Sequence, residues 1–176
     1  MFLQDMFLKW WLHGPRYRWS KLRRFLFERG SLKTQLPLVA NLDDIVRNLN
    51  KITPKQDFWP ELFDCVSYPQ RVWARGKDDC DGYAILAAAL LKQLDPKYQP
   101  VLVTAMVTSL YHSHSVCVFS EDKKYRYFSN KELSPLIFDS IEDVVKNFYN
   151  KNYRLLCWDE VDPVTLKQQK YQPVNK

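Results

Sequence analysis

Residues 75–94 read RGKDDCDGYAILAAALLKQL, the longest apolar helical pattern in the chain, with a cysteine at its mouth. Asp78 or Asp79 supplies an N-cap, an apolar run from Tyr83 to Leu94 follows, and Asp95-Pro96 stops it, because a residue before proline is pushed out of the helical region. The result is a helix carrying Cys80 in its first turn, fenced by Asp78, Asp79 and Asp81. Carboxylates there meet the positive end of the helix dipole and need no chemistry, and a cysteine in a helix is most often a small buried hydrophobe. The same helix start also stabilises a thiolate, the form in which cysteine attacks. Carboxylates beside it oppose ionisation, so a nucleophilic Cys80 requires a base.

Downstream of Pro96 the period changes from helical to alternating. Residues 98–110 (YQPVLVTAMVTSL) and 114–119 (HSVCVF) read as strands, 120–124 (SEDKK) as a polar turn, and 125–130 (YRYFSN) as a third strand in a hairpin with the second. Ser140 and Asp143 stand in capping-box spacing at the head of a helix over 139–150, and 153–158 (YRLLCW) predicts one more strand. Upstream, 41–52 predicts a short helix capped by Asn41 with Asp44 at its third position, and the proline-bearing stretch 53–70 reads as irregular. Helices first and antiparallel strands second define an α+β arrangement.

At 176 residues, 46% apolar and 15% aromatic, the chain is long enough to bury a real core. With 4 glycines it excludes a glycine-rich phosphate loop. The net charge of +6 is uneven: residues 1–30 hold seven basic side chains against Asp5 and Glu28, leaving the other 146 residues nearly neutral. That segment holds two amphipathic patterns, 2–12 and 17–29, rich in tryptophan and arginine. Three readings stay open for it: packing on the domain, docking to a protein assembly, or lying on an anionic membrane surface. Nucleic acid is disfavoured, because the basic patch is short and no binding motif accompanies it. The organisation expected is a basic aromatic arm over 1–30, a domain over 31–162 and a polar tail over 163–176.

Cys65, Cys80, Cys117 and Cys157 form no C-x-x-C pair, which argues against a zinc ribbon and a disulfide scaffold. No signal peptide or spanning segment is evident, so a reducing setting, cytoplasmic or virion-associated, is expected. Of three histidines, His112 and His114 share one face of a strand. A metal site from Cys80, His112, His114 and an aspartate lacks further ligand spacing, and neither metal nor cofactor is expected. A base also needs a partner holding its tautomer, and Ser129-Asn130 closes the following strand.

A cysteine opening a helix, a histidine opening a strand and Asp or Asn closing the next one resemble the transglutaminase-like branch of the papain-like superfamily. DDCDGYAILAAALLKQL resembles the cysteine block of bacterial transglutaminase-like cysteine proteinases and related phage-encoded domains, and HSVCVF is similar to their histidine strand, which selects His114 over His112. The resemblance covers roughly residues 70–130. It implies a nucleophile helix packed on a small antiparallel sheet, and a Cys80-His114-Asn130 triad acting on amide bonds of a peptide or protein. Ser129 stands where the family usually has an aspartate, so the third member is Asn130, Ser129 with altered activity, or absent; Asn130 is the expectation. The competing reading is a non-catalytic module of the same fold, docked to a larger assembly or membrane through residues 1–30.

Overall fold

The computed structural model describes residues 2–55 and 65–174, with the side chains of Phe2 and Leu110 set aside. The central helix, α5 (Cys80–Leu94), forms as its capping signals require: Asp79 is the N-cap, its carboxylate accepts from the Asp81 N–H, and Asp95 closes the far end. The helices α3 (Leu42–Leu49) and α6 (Ile141–Phe148) start on side-chain caps in the same way, Asn41 accepting from the Asp44 N–H and Ser140 from the Asp143 N–H.

Six strands make one antiparallel sheet: β3 (Val101–Val107), β4 (His114–Glu121), β5 (Lys124–Ser129), β6 (Glu132–Leu133), β7 (Leu155–Val161) and β8 (Gln168–Pro173), in the order β6-β5-β4-β3-β7-β8. The β4–β5 hairpin turns through Asp122 and Lys123, both at positive φ, which matches the twist of the paired strands. A separate parallel pair joins β1 (Thr53–Pro54) to β2 (Lys77–Asp78). Among the described residues the protein is therefore α+β, with helices on both faces of an antiparallel sheet.

Period-two alternation assigns each strand residue to a face. Leu102, Met106, Cys117, Phe119 and Phe128 belong to the core shared with Tyr83, Leu86, Leu90 and Leu91 of α5. Val103, Ala105, Val116, Val118, Tyr127 and Trp158 belong to a second core closed by Val144 and Val145 of α6.

Three features depart from the sequence reading. The stretch 53–70 lies partly outside the described residues, at 56–64, but it runs into a helix, α4 (Pro69–Arg75), with Pro69 at its first position and Gly76 closing it at φ 62. The strand expected over 98–110 ends at Val107, and a short 3-10 turn spans Leu110–His112. The expected polar tail is ordered over 163–174, because Gln168–Pro173 pairs with β7 as an edge strand, while 175–176 lie outside the described residues.

The N-terminal segment is also no detached arm. α1 (Phe2–Leu12) and α2 (Pro15–Arg23) deliver Leu8, Leu12 and Tyr17 to the core that α5 occupies. α2 continues through a π-helical turn, Arg24–Glu28, into a 3-10 turn, Arg29–Lys33. Apart from Tyr17, its inward face is polar: Arg16, Ser20, Arg24 and Glu28 are buried, whereas Trp19, Leu22, Phe25 and Leu26 face solvent. The widened turn, about 4.4 residues rather than 3.6, lets Arg24 and Glu28 point inward together. Arg24 donates to the carbonyls of Val66 and Ser67, and Glu28 accepts from the Ser67 hydroxyl and the Tyr68 N–H at 3.0 and 2.9 Å. Burial holds the Arg24 guanidinium down at about 10, the cost of placing a cation where water does not reach.

Candidate functional site

Cys80 is the first residue of α5 and half-buried. The aspartates around it have structural work. Asp79 caps the helix, Asp78 accepts from the Asp79 N–H and lies 3.8 Å from Arg75, and Asp81 forms a buried ion pair with Arg16. Gly82 follows because a Cβ there would sit 2.4 Å from the Asp78 side chain. The DDCDG stretch is thus the signature of a tightly folded helix start.

His114 opens β4. Its Nε2 lies 2.9 Å from the Ser129 hydroxyl at the end of β5, and its ring packs edge-on against Phe148 of α6. Strand alternation explains the pairing. Val116 stands opposite Ser129, so Ser129 shares the face of His114, Val116 and Tyr127, whereas Asn130 belongs to the other parity. Asn130 is exposed in the β5–β6 turn at φ 50, a conformation asparagine tolerates better than most residues. The side chain that meets His114 is therefore Ser129, in place of the expected Asn130.

Burial pushes the His114 imidazole below its usual range, and the carboxylate of Asp81 partly offsets this. The Asp81 charge reaches His114 across the end of the sheet, for His114 lies on the α6 face with Val116 and Tyr127 whereas α5 packs on the opposite face. The Cys80 and His114 side chains therefore do not share a face, but the first turn of α5 and the start of β4 are neighbours. Hydrogen bonds join them as well: Arg16 pairs with Asp81 and donates to Thr104 Oγ1 at 3.1 Å, which lies 2.9 Å from Ser115 Oγ. The residue after Cys80 and the residue after His114 are thus tied through one arginine and one threonine. Nothing in the sequence pattern marked Arg16, whose signal is visible only as an arginine on the buried side of an amphipathic repeat.

His112 takes no part: it is exposed, stacks on Tyr153, and its Nδ1 lies 2.8 Å from the Ser109 hydroxyl. Cys117 and Cys157 are buried thiols whose ionisation burial strongly opposes, Cys157 being pushed up to about 12. Among the described residues no group of three or more His, Cys, Asp or Glu side chains is placed to hold a metal ion. A cavity of about 250 Å³ lies along the middle and far end of α5, lined by Arg24, Gln70, Ile85, Ala88 and Lys92 and away from the thiol. Among the described residues, no helix is long and apolar enough to cross a membrane.

No protein-family model matches the chain, and no curated protein matches it.

Proposed function

We propose that the protein is a thiol-dependent hydrolase or acyltransferase of transglutaminase-like fold, in which Cys80, His114 and Ser129 act on an amide bond of a peptide or protein. The observation that carries this reading is the His114–Ser129 hydrogen bond, which fixes an imidazole at the strand start tied to the first turn of α5. With Nε2–H donating to Ser129 Oγ, Nδ1 keeps its lone pair. Because the ring packs on Phe148 over the α6 face, it must reach around the open end of β4 to take the proton from Cys80 Sγ at the start of α5. The thiolate attacks the carbonyl carbon, and the backbone N–H groups opening α5, that of Cys80 among them, hold the oxyanion. As the C–N bond breaks, His114 returns its proton to the leaving amine and a thioester remains on Cys80. Water, deprotonated by His114, releases a carboxylic acid; an amine in place of water gives a new amide.

Serine aligns the imidazole but adds no negative charge, so it does not stabilise an imidazolium as an aspartate would. Together with the depressed proton affinity of His114, this favours attack from a neutral thiol–imidazole pair over a standing ion pair. The same two facts support the second reading, a module that keeps the fold and binds a peptide without cleaving it.

The test is acylation by p-nitrophenyl acetate followed by mass mapping. The enzyme reading expects a hydroxylamine-labile acetyl group on Cys80 that turns over, and loss of turnover in His114→Ala. Turnover equal to that of Cys80→Ser leaves the binding module as the function.

A further inference from the structure

We propose that the outward face of residues 3–33 is a binding surface for an anionic lipid bilayer, on which the protein lies without spanning it. This goes beyond the reading of Cys80 and does not depend on it. Ten of the fifteen exposed large apolar side chains among the described residues fall between residues 3 and 32. They are arranged as stripes. Leu3, Met6, Phe7 and Trp10 recur at 3–4–7 spacing along α1, and Trp19, Leu22 and Leu26 do so along α2 and its π-turn. Phe27, 77% exposed, extends the second stripe.

For α1 this means apolar side chains on two sides, Leu8, Trp11 and Leu12 buried and Leu3, Met6, Phe7 and Trp10 in water. Along α2 and its π-turn much of the usual polarity is inverted, with Arg16 and Arg24 inside and Trp19 outside. Exposed apolar patches of this extent mark an interaction site.

Charge selects the partner. Both acids of the segment are consumed internally, Asp5 by Arg154 and Glu28 by Ser67, Tyr68 and Arg23. Arg16 and Arg24 are turned inward. What remains outside is Arg18, Lys21, Arg29 and Lys33, among tryptophans and phenylalanines, without an exposed carboxylate in the segment. Tryptophan, phenylalanine and arginine suit a protein interface as well, but lysine is depleted there, and Lys21 and Lys33 flanking the apolar stripe with no exposed carboxylate match a helix lying in the headgroup region of an anionic bilayer.

The experiment uses the full chain with vesicles of phosphatidylcholine alone or containing about one third phosphatidylglycerol. Expected are co-sedimentation and a blue shift of tryptophan emission with the anionic vesicles, little with the neutral ones, and release at high salt. Replacing Arg18, Lys21, Arg29 and Lys33 together by Gln should weaken partitioning roughly 600-fold, since each surface cation contributes roughly fivefold. Trp10→Ser with Trp19→Ser should abolish the shift of the bound state. All six side chains are exposed, so unchanged thermal unfolding accompanies both variants. A folded full chain that ignores anionic vesicles, binds both vesicle types equally, or binds regardless of the charge substitutions overturns the proposal. So does a lipid-free dimer that Trp10→Ser with Trp19→Ser dissociates, since the face would then cover a second copy.

Discussion

Replacing Arg16 by Leu tests the wiring between the N-terminal segment and the candidate site. The side chains of Arg16 and Asp81 retain 4% and 2% of their accessible surface, so removing the cation leaves a carboxylate in a place water does not reach. Breaking a buried pair from one side typically costs about 3–5 kcal/mol, and losing the bond to Thr104 adds roughly 1 kcal/mol. Against a total stability of about 5–15 kcal/mol, this is about a quarter or more of what holds the domain folded. In urea unfolding at neutral pH, Arg16→Leu should lower the midpoint with its slope preserved. Adding Asp81→Asn should restore most of the loss, because an amide carries no charge to leave unpaired. Asp159 limits the recovery, since Arg16 also lowers its proton affinity. A loss in Arg16→Leu below about 1 kcal/mol, the scale of a surface pair, would refute the reasoning, as would a double variant no more stable than the single one.

Asp159 is fully buried and raised from 3.8 to about 7, chiefly by desolvation, so between those pH values the folded state binds the proton and the unfolded state does not. Stability should therefore fall from pH 4 to pH 7 by on the order of 4 kcal/mol from this group, and Asp159→Asn should flatten that slope in urea titrations. Ser129→Asp should raise the basicity of His114 and shift Cys80 alkylation to lower pH, Ser129→Ala should slow it, and Asn130→Gly should leave it unchanged; iodoacetamide kinetics with peptide mapping read all three. Gly82→Ala, favourable by about 1 kcal/mol in an ordinary helix, should instead destabilise by roughly 1–3 kcal/mol because the new methyl meets Asp78, as measured by thermal unfolding.

The elements readable from sequence are those whose signals are local. Asn41 with Asp44, Asp79 before Cys80, and Ser140 with Asp143 each announce a helix start, and the structure uses each as a cap. The strands over 101–107, 114–121 and 124–129 follow from alternation and β-branched content. What escaped depends on distant partners. Gln168–Pro173 carries no apolar pattern, because an edge strand exposed along most of its length gains its place through pairing with β7. α2 and its π-turn mislead in the opposite way: their apolar stripe faces water, and Arg16 and Arg24 go inside because Asp81 and the carbonyls of Val66 and Ser67 await them. The choice of Ser129 over Asn130 was available from strand parity, since Ser129 alternates with Tyr127 onto the face of His114.

The reactivity of one thiol separates an enzyme from a binding module most directly. Iodoacetamide alkylation of the folded protein, mapped by peptide mass, should modify Cys80 near neutral pH faster than an unstructured cysteine peptide, while the buried Cys117 and Cys157 stay unmodified. His114→Ala should bring the Cys80 rate down to that of the peptide. A wild-type Cys80 that reacts no faster than the peptide, or at a rate indifferent to His114→Ala, contradicts the enzyme reading.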